Sequence, residues 1–175
     1  MSDPPDPETR ESRPRFTRRR LLGVGAGTLA AAVAVPATSG VAAAHFPDRL
    51  DVDVRPRSDR NVVPARGRGV VPVAAHRTTF ERDGERVVFD PTTRPEHYRF
   101  GAPDVLADGG GARPVRAGRP VDLDGDGDDS LLLLFRADEA GFEPDDDVAE
   151  LRWAEHAEGE HGYSGTDEVT VVGRR

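Results

Sequence analysis

The chain has 175 residues, room for one ordinary domain, and no cysteine, which excludes disulfides, thiolate metal sites, a cysteine nucleophile and a cysteine-linked lipid anchor. All 24 basic residues are arginine against 32 acidic ones, and the net charge of -8 argues against a general nucleic-acid binder. Lysine, isoleucine and glutamine are absent and asparagine occurs once, at Asn61, a usage that points to a GC-rich genome and, with the acidic balance, to a salt-adapted protein.

The first 44 residues read as an export address. Thr17-Arg18-Arg19-Arg20-Leu21-Leu22 resembles the twin-arginine signal, with Arg18 and Arg19 as the arginine pair. A Gly/Ala-rich apolar stretch follows from Leu21 to Val35, and Ala42-Ala43-Ala44 supplies a small-residue cleavage pattern ending at Ala44. The stretch is shorter than the roughly 20 apolar residues of a membrane span and is closed by Pro36. Gly23-Val24-Gly25-Ala26-Gly27-Thr28 imitates a phosphate-binding loop, but no strand precedes it and Thr28 replaces the last glycine. The expected division is a signal peptide at 1–44 and a mature domain at 45–175, with the twin-arginine translocase as a transient partner. A membrane association is expected only if the signal stays uncleaved. The leader holds six arginines and four acids, so 18 basic and 28 acidic residues remain beyond it and the mature net charge is -10.

Helical periodicity is weak in the mature part. Short apolar or alternating runs recur at Leu50–Val54, Val70–Ala74, Arg86–Phe89, His97–Phe100, Leu131–Phe135, Ala149–Trp153 and Val169–Val172, separated by Gly, Pro and Asp clusters. Alternation in Ala149-Glu150-Leu151-Arg152-Trp153 predicts a strand with one buried and one wet face. Leu131 to Leu134 is apolar on both faces, as in a covered central strand. The fold class expected is mainly β, a single antiparallel β-sandwich-like domain. Gly109-Gly110-Gly111 reads as a loop, and Asp145-Asp146-Asp147 as solvated surface.

The most informative stretch is Val121-Asp122-Leu123-Asp124-Gly125-Asp126-Gly127-Asp128-Asp129-Ser130, the loop 122–130 ahead of the Leu131 strand. Counted from Asp122, oxygen side chains fall at positions 1, 3, 5 and 9, Asp128 offers a backbone carbonyl at position 7, and Gly127 stands at position 6. Calcium takes six to eight oxygen ligands at roughly 2.3–2.6 Å, which a curled loop with alternating carboxylates can supply. The predicted ligands are therefore Asp122, Asp124, Asp126, Asp128 and Ser130, with Ca²⁺ as the cofactor. The glutamate of an EF-hand is absent, since Leu133 stands at position 12, and the better comparison is the calcium loop of integrin-type propellers that runs into a strand. Against this stands a plainer account: salt-adapted surfaces are rich in aspartate, and Asp-Gly pairs make turns without any ion.

Leu50–Ala75, "LDVDVRPRSDRNVVPARGRGVVPVAA", resembles the opening of a module of secreted bacterial and haloarchaeal proteins of the form "IDIKPGSDPNxINPxSxGVIPVA". "DPTT" (Asp90–Thr93), "YRFGAP" (Tyr98–Pro103), "VDLDGDGDDSLLLLFR" (Val121–Arg136), "EAGFEPDDDVAELRW" and "YSGTDEVTVV" are similar to its later segments in order and spacing. Ser130 departs from the usual Asp, and Arg136 follows the strand's Phe135. The resemblance implies an exported β-rich domain with an aspartate loop, and implies no reaction.

Other constellations are weaker. His156 and His161 are five apart, not the spacing that aligns two ligands on a helix, and the glycine between them suggests a hairpin. Gly162-Tyr163-Ser164-Gly165-Thr166 imitates a nucleophile elbow without its last glycine and reads as a turn before the final strand. Asp124 and Asp126 are a poor glycosidase pair because that chemistry needs separated carboxylates. Trp153, Tyr98 and Tyr163 could form a sugar-stacking platform, although Trp153 suits the buried face of its strand. The leading expectation is a non-catalytic exported module at the cell surface or in the medium, with one structural Ca²⁺ and an unknown envelope partner. A carbohydrate-binding module whose partner is polysaccharide, and a small secreted hydrolase, are the alternatives.

Overall fold

The computed structural model describes residues 46–123, 125–157, 159 and 161–173. The sequence positions Arg18, Arg19, Ala44 and Asp124 lie outside the described residues. The observed architecture is mainly β, as the short alternating runs predict.

Among the described residues eleven strands form: β1 (Asp51–Val54), β2 (Val62–Pro64), β3 (Val70–His76), β4 (Thr78–Arg82), β5 (Glu85–Phe89), β6 (Tyr98–Gly101), β7 (Arg119–Val121), β8 (Ser130–Arg136), β9 (Val148–Ala154), β10 (Gly162–Glu168) and β11 (Thr170–Val172). A short α-helix, α1 (Pro103–Ala107), lies between the sixth and seventh. Two sheets carry the domain, a four-stranded one in the order β1-β3-β8-β7 and a three-stranded one in the order β10-β9-β6, both antiparallel throughout. β4 and β5 make a separate hairpin. β11 pairs with β2 in parallel.

The core lies between the two sheets. Val52 and Val54, Val71 and Val73, and Leu131, Leu133 and Phe135 point inward from the first sheet and are buried, against Phe100, Leu151 and Tyr98 of the second. The rings of Phe100 and Phe135 meet across it at 5.1 Å. Burial of such side chains is the main favourable contribution, about 1.5–3 kcal/mol for each large one. β8 is a central strand, as its apolar run predicts, but its second face is only half covered: Leu132 and Leu134 are of intermediate exposure while Leu131, Leu133 and Phe135 are fully buried.

Two local readings change. Gly162–Glu168 is not a turn but a full strand, paired with β9 at all seven positions from Gly162↔Ala154 to Glu168↔Val148. Gly165 is required there because a Cβ would strike the Leu50 carbonyl oxygen and stand 2.7 Å from Val52 Cγ2, where the first and second sheets meet. The second face of β9 is not wet. Glu150 is 7% exposed and is bridged to Arg152 by Nε–Oε1 and Nη2–Oε2 contacts of 2.7 and 3.1 Å. The cover comes from α1, whose Leu106 carbonyl accepts from Arg152 Nη1 at 2.8 Å, and from Phe46, whose ring lies 5.2 Å from the Arg152 guanidinium.

Loops follow their residue chemistry. Gly109 and Gly111 take positive φ in the turn after the helix, and Arg99 Nη1 donates to the carbonyls of Gly109 and Gly110. Asp145 and Asp147 are exposed and Asp146 is half-buried, its carboxylate accepting from the Glu143 amide at 2.8 Å. Asn61 sits at φ +41°, held by its Nδ2 donating to Asp167 Oδ2 and to the Glu168 carbonyl, both at 3.0 Å. Asp167 also accepts from the Val54 amide at 2.8 Å, so one carboxylate ties β10 to β1 and to the loop before β2.

Candidate metal site

The aspartate loop closes the β7–β8 hairpin, in which Val121 is paired with Ser130. Its curl is made locally. Gly125 and Gly127 adopt φ of +82° and +92°, a region that costs residues with a Cβ and suits glycine. The Gly125 amide donates to Asp122 Oδ1 at 2.7 Å, and the Asp128 amide donates to Asp126 Oδ1 at 2.8 Å. A carboxylate has about four acceptor sites, so a bond to one amide and a further ligand are compatible. The loop is thus shaped by the same aspartates that would ligate an ion.

Two arginines approach it. Arg57 Nη2 donates to the Leu123 carbonyl at 3.3 Å, and Arg77 Nη1 lies 3.9 Å from Asp128 Oδ1. Arg77 is held chiefly by Asp90, at 2.7 Å. Asp90 in turn accepts from the Thr92 hydroxyl and amide at 2.6 and 3.0 Å, and these hydrogen bonds, with Arg77, hold its carboxyl below the usual range.

Ser130 is the first residue of β8 and only 5% exposed; its Oγ is 2.7 Å from His76 Nδ1. Asp51 is the strand partner of His76, so Asp51, His76 and Ser130 stand in one row across β1, β3 and β8. Asp126, Asp128, Ser130, His76 and Asp51 line one cleft of about 370 Å³, with Arg77 at its wall. The structure therefore brings three of the sequence-derived ligands, Asp126, Asp128 and Ser130, to a common opening. Asp122 does not line it, and Asp124 lies outside the described residues.

The donor set is oxygen-dominated and anionic, which fits a hard cation such as calcium better than a soft one. Among the described residues, however, no three His, Asp or Glu side chains already converge closely enough to hold an ion. His76, Asp51 and Arg77 were not legible as neighbours of the loop. Only the strand register puts them there, and a β3 running two residues past Ala74 is the one sequence cue that could have done so.

In the row Asp51, His76, Ser130 the serine meets the ring nitrogen Nδ1, and Asp51 faces His76 as its strand partner, with no ion pair between them among the described residues. Ser164, the other serine considered, is 5% exposed and donates its Oγ to the Phe46 carbonyl at 2.9 Å. His156 and His161 lie on the β9–β10 hairpin connection, where the Gly159 amide donates to the His156 carbonyl at 2.9 Å, as the glycine between them suggests. Among the described residues no helix is long and apolar enough to cross a membrane. In comparisons with protein families, curated proteins and solved structures, the chain finds no match.

Proposed function

We propose that the chain is an exported, non-catalytic surface or secreted module whose aspartate loop holds one structural Ca²⁺. The observation that carries the ion is the common cleft lined by Asp126, Asp128 and Ser130 behind two left-handed glycines. Asp122 and Asp124 complete the donor set in this reading, and the bound ion offsets the mutual repulsion of closely spaced carboxylates. Support for export comes from the Thr17–Leu22 and Ala42–Ala44 patterns and from the resemblance to secreted modules. The ion would join folding to compartment, since the loop leads directly into the central strand β8 and binding free energy adds to folding free energy.

Thermal melts of the purified exported protein in calcium and in chelator, beside Asp126→Ala, test the ion. Calcium at about a hundred times its dissociation constant should add about 2.7 kcal/mol. The variant should lose that increment. Equal melts in calcium and chelator would make the aspartates salt-adapted surface. Replacing Arg18 and Arg19 with lysine tests export separately, and unchanged appearance of the protein outside the cell would refute that part.

A further inference from the structure

A second cleft, remote in chemistry from the aspartate loop, lies between the β4–β5 hairpin and the end of the β9–β10 pair. It measures about 620 Å³, within the range of roughly 300–1,000 Å³ usual for small-ligand sites. Its apolar wall is built from Val88, Phe89, Trp153 and Tyr163. The aromatics do not form the open platform that a row of Trp153, Tyr98 and Tyr163 would give. Tyr98 is 1% exposed, deep in the core, and burial pushes its hydroxyl above the usual phenol range. Trp153 stacks on Tyr163 at 5.9 Å and meets the edge of Phe89 at 5.1 Å, leaving Trp153 partly buried at the cleft.

Charged groups of both signs border this wall. The Arg94 guanidinium lies 5.2 Å from the Phe89 ring centre and 5.8 Å from that of Trp153, its Nη1 donates to the Thr93 hydroxyl in a long 3.5 Å contact, and among the described residues no carboxylate pairs with it. A guanidinium stacked this way keeps its N–H edge for a ligand while losing little side-chain freedom on binding. Arg82 Nη1 donates to the Tyr163 hydroxyl at 3.1 Å, which leaves the phenol proton to be donated onward. Asp83, Glu85 and Glu155 supply acceptors on the same cleft. Two arginines against three carboxylates give no strong net sign to draw a polyanion or a polycation. A ligand that fits must offer an apolar face together with groups that both donate and accept hydrogen bonds.

We propose that this cleft binds a neutral glycan. The C–H face of a sugar ring packs on Val88 and Trp153, its hydroxyls accept from Arg94 and the Tyr163 phenol, and they donate to Glu155. The site is independent of the aspartate loop and of any ion there.

The chain has a single tryptophan, and it lines this cleft, so its emission reports occupancy directly. The full exported protein is titrated with cellohexaose, maltohexaose and mannohexaose, and with hexagalacturonate as an acidic counterpart. A saturable change in Trp153 emission with a neutral hexaose is expected. Its affinity should fall by about tenfold or more in Arg94→Ala, the scale of a lost hydrogen bond to a charged group. Glu155→Gln, at an exposed position, should weaken it as well, with circular dichroism unchanged in both variants. Chelator should leave the titration unaltered in any state that remains folded, which separates this site from the ion. No response to any of the three neutral hexaoses, an affinity unchanged from the parent in both variants, or tighter binding of hexagalacturonate would each overturn the proposal.

Discussion

Removing the Glu150 carboxylate isolates the chemistry of the covered second face of β9. In Glu150→Ala, Arg152 keeps its bond to the Leu106 carbonyl and its place over Phe46 but loses both carboxylate contacts. The side chains of Arg152 and Glu150 are only 14% and 9% exposed, so water replaces the lost partner poorly. Breaking one side of a buried pair costs about 3–5 kcal/mol. The residual exposure of the arginine puts the expected loss at the lower end, about 3 kcal/mol, or roughly 10 °C in melting temperature for a domain of this size. Urea denaturation suits the measurement because urea is uncharged and salt can be varied freely. At about 1 M salt the screening length is near 3 Å, which abolishes most interactions between exposed charges but reaches a desolvated contact poorly. The loss should therefore persist in high salt. Arg77→Ala is the control, since its pair with Asp90 has side chains 47% and 20% exposed and should contribute little, and less as salt rises. A Glu150→Ala loss below about 1 kcal/mol, or one that high salt removes, would refute the assignment of this pair to a dry layer.

Two further outcomes follow from particular contacts. Gly165→Ala should destabilise by about 2 kcal/mol, as expected when an added methyl meets backbone and a packed side chain in a filled core, and a melt within error of the parent would contradict the close approach of β10 to Leu50. Asp53→Asn should raise stability at neutral pH by under about 1 kcal/mol. Burial first, then Asp167 and Asp51, raise the Asp53 carboxyl above its ordinary 3.8. The native state thus binds this proton more tightly than the unfolded chain. The penalty is present above the folded value and is relieved as pH falls through it, so the advantage of the variant should shrink on acidification and equilibrium unfolding across that range checks the sign.

Local pattern determined a good part of this protein. The apolar or alternating runs Leu50–Val54, Val70–Ala74 and Leu131–Phe135 each predict a strand, because a side-chain period of two is imposed by the backbone itself, and β1, β3 and β8 form there. The spacing of Asp122, Gly125, Asp126 and Gly127 likewise predicts a curled loop, since glycine's tolerance of positive φ and short aspartate-to-amide bonds act within a few residues. What lay beyond that range was decided by tertiary structure. Gly162–Glu168, with two glycines and a serine, has little strand character of its own and becomes one because β9 offers it a complete ladder. Glu150 and Arg152 look like a wet face until α1 and Phe46 cover them, and their pairing then becomes obligatory. His76 meets Ser130 across 54 residues of chain, and Arg94, Trp153 and Glu155 meet only where a hairpin folds over a sheet end. Periodicity reports which way each side chain faces along its own strand. Which surface arrives opposite is set by strand register and layer packing, interactions between segments that no local pattern contains.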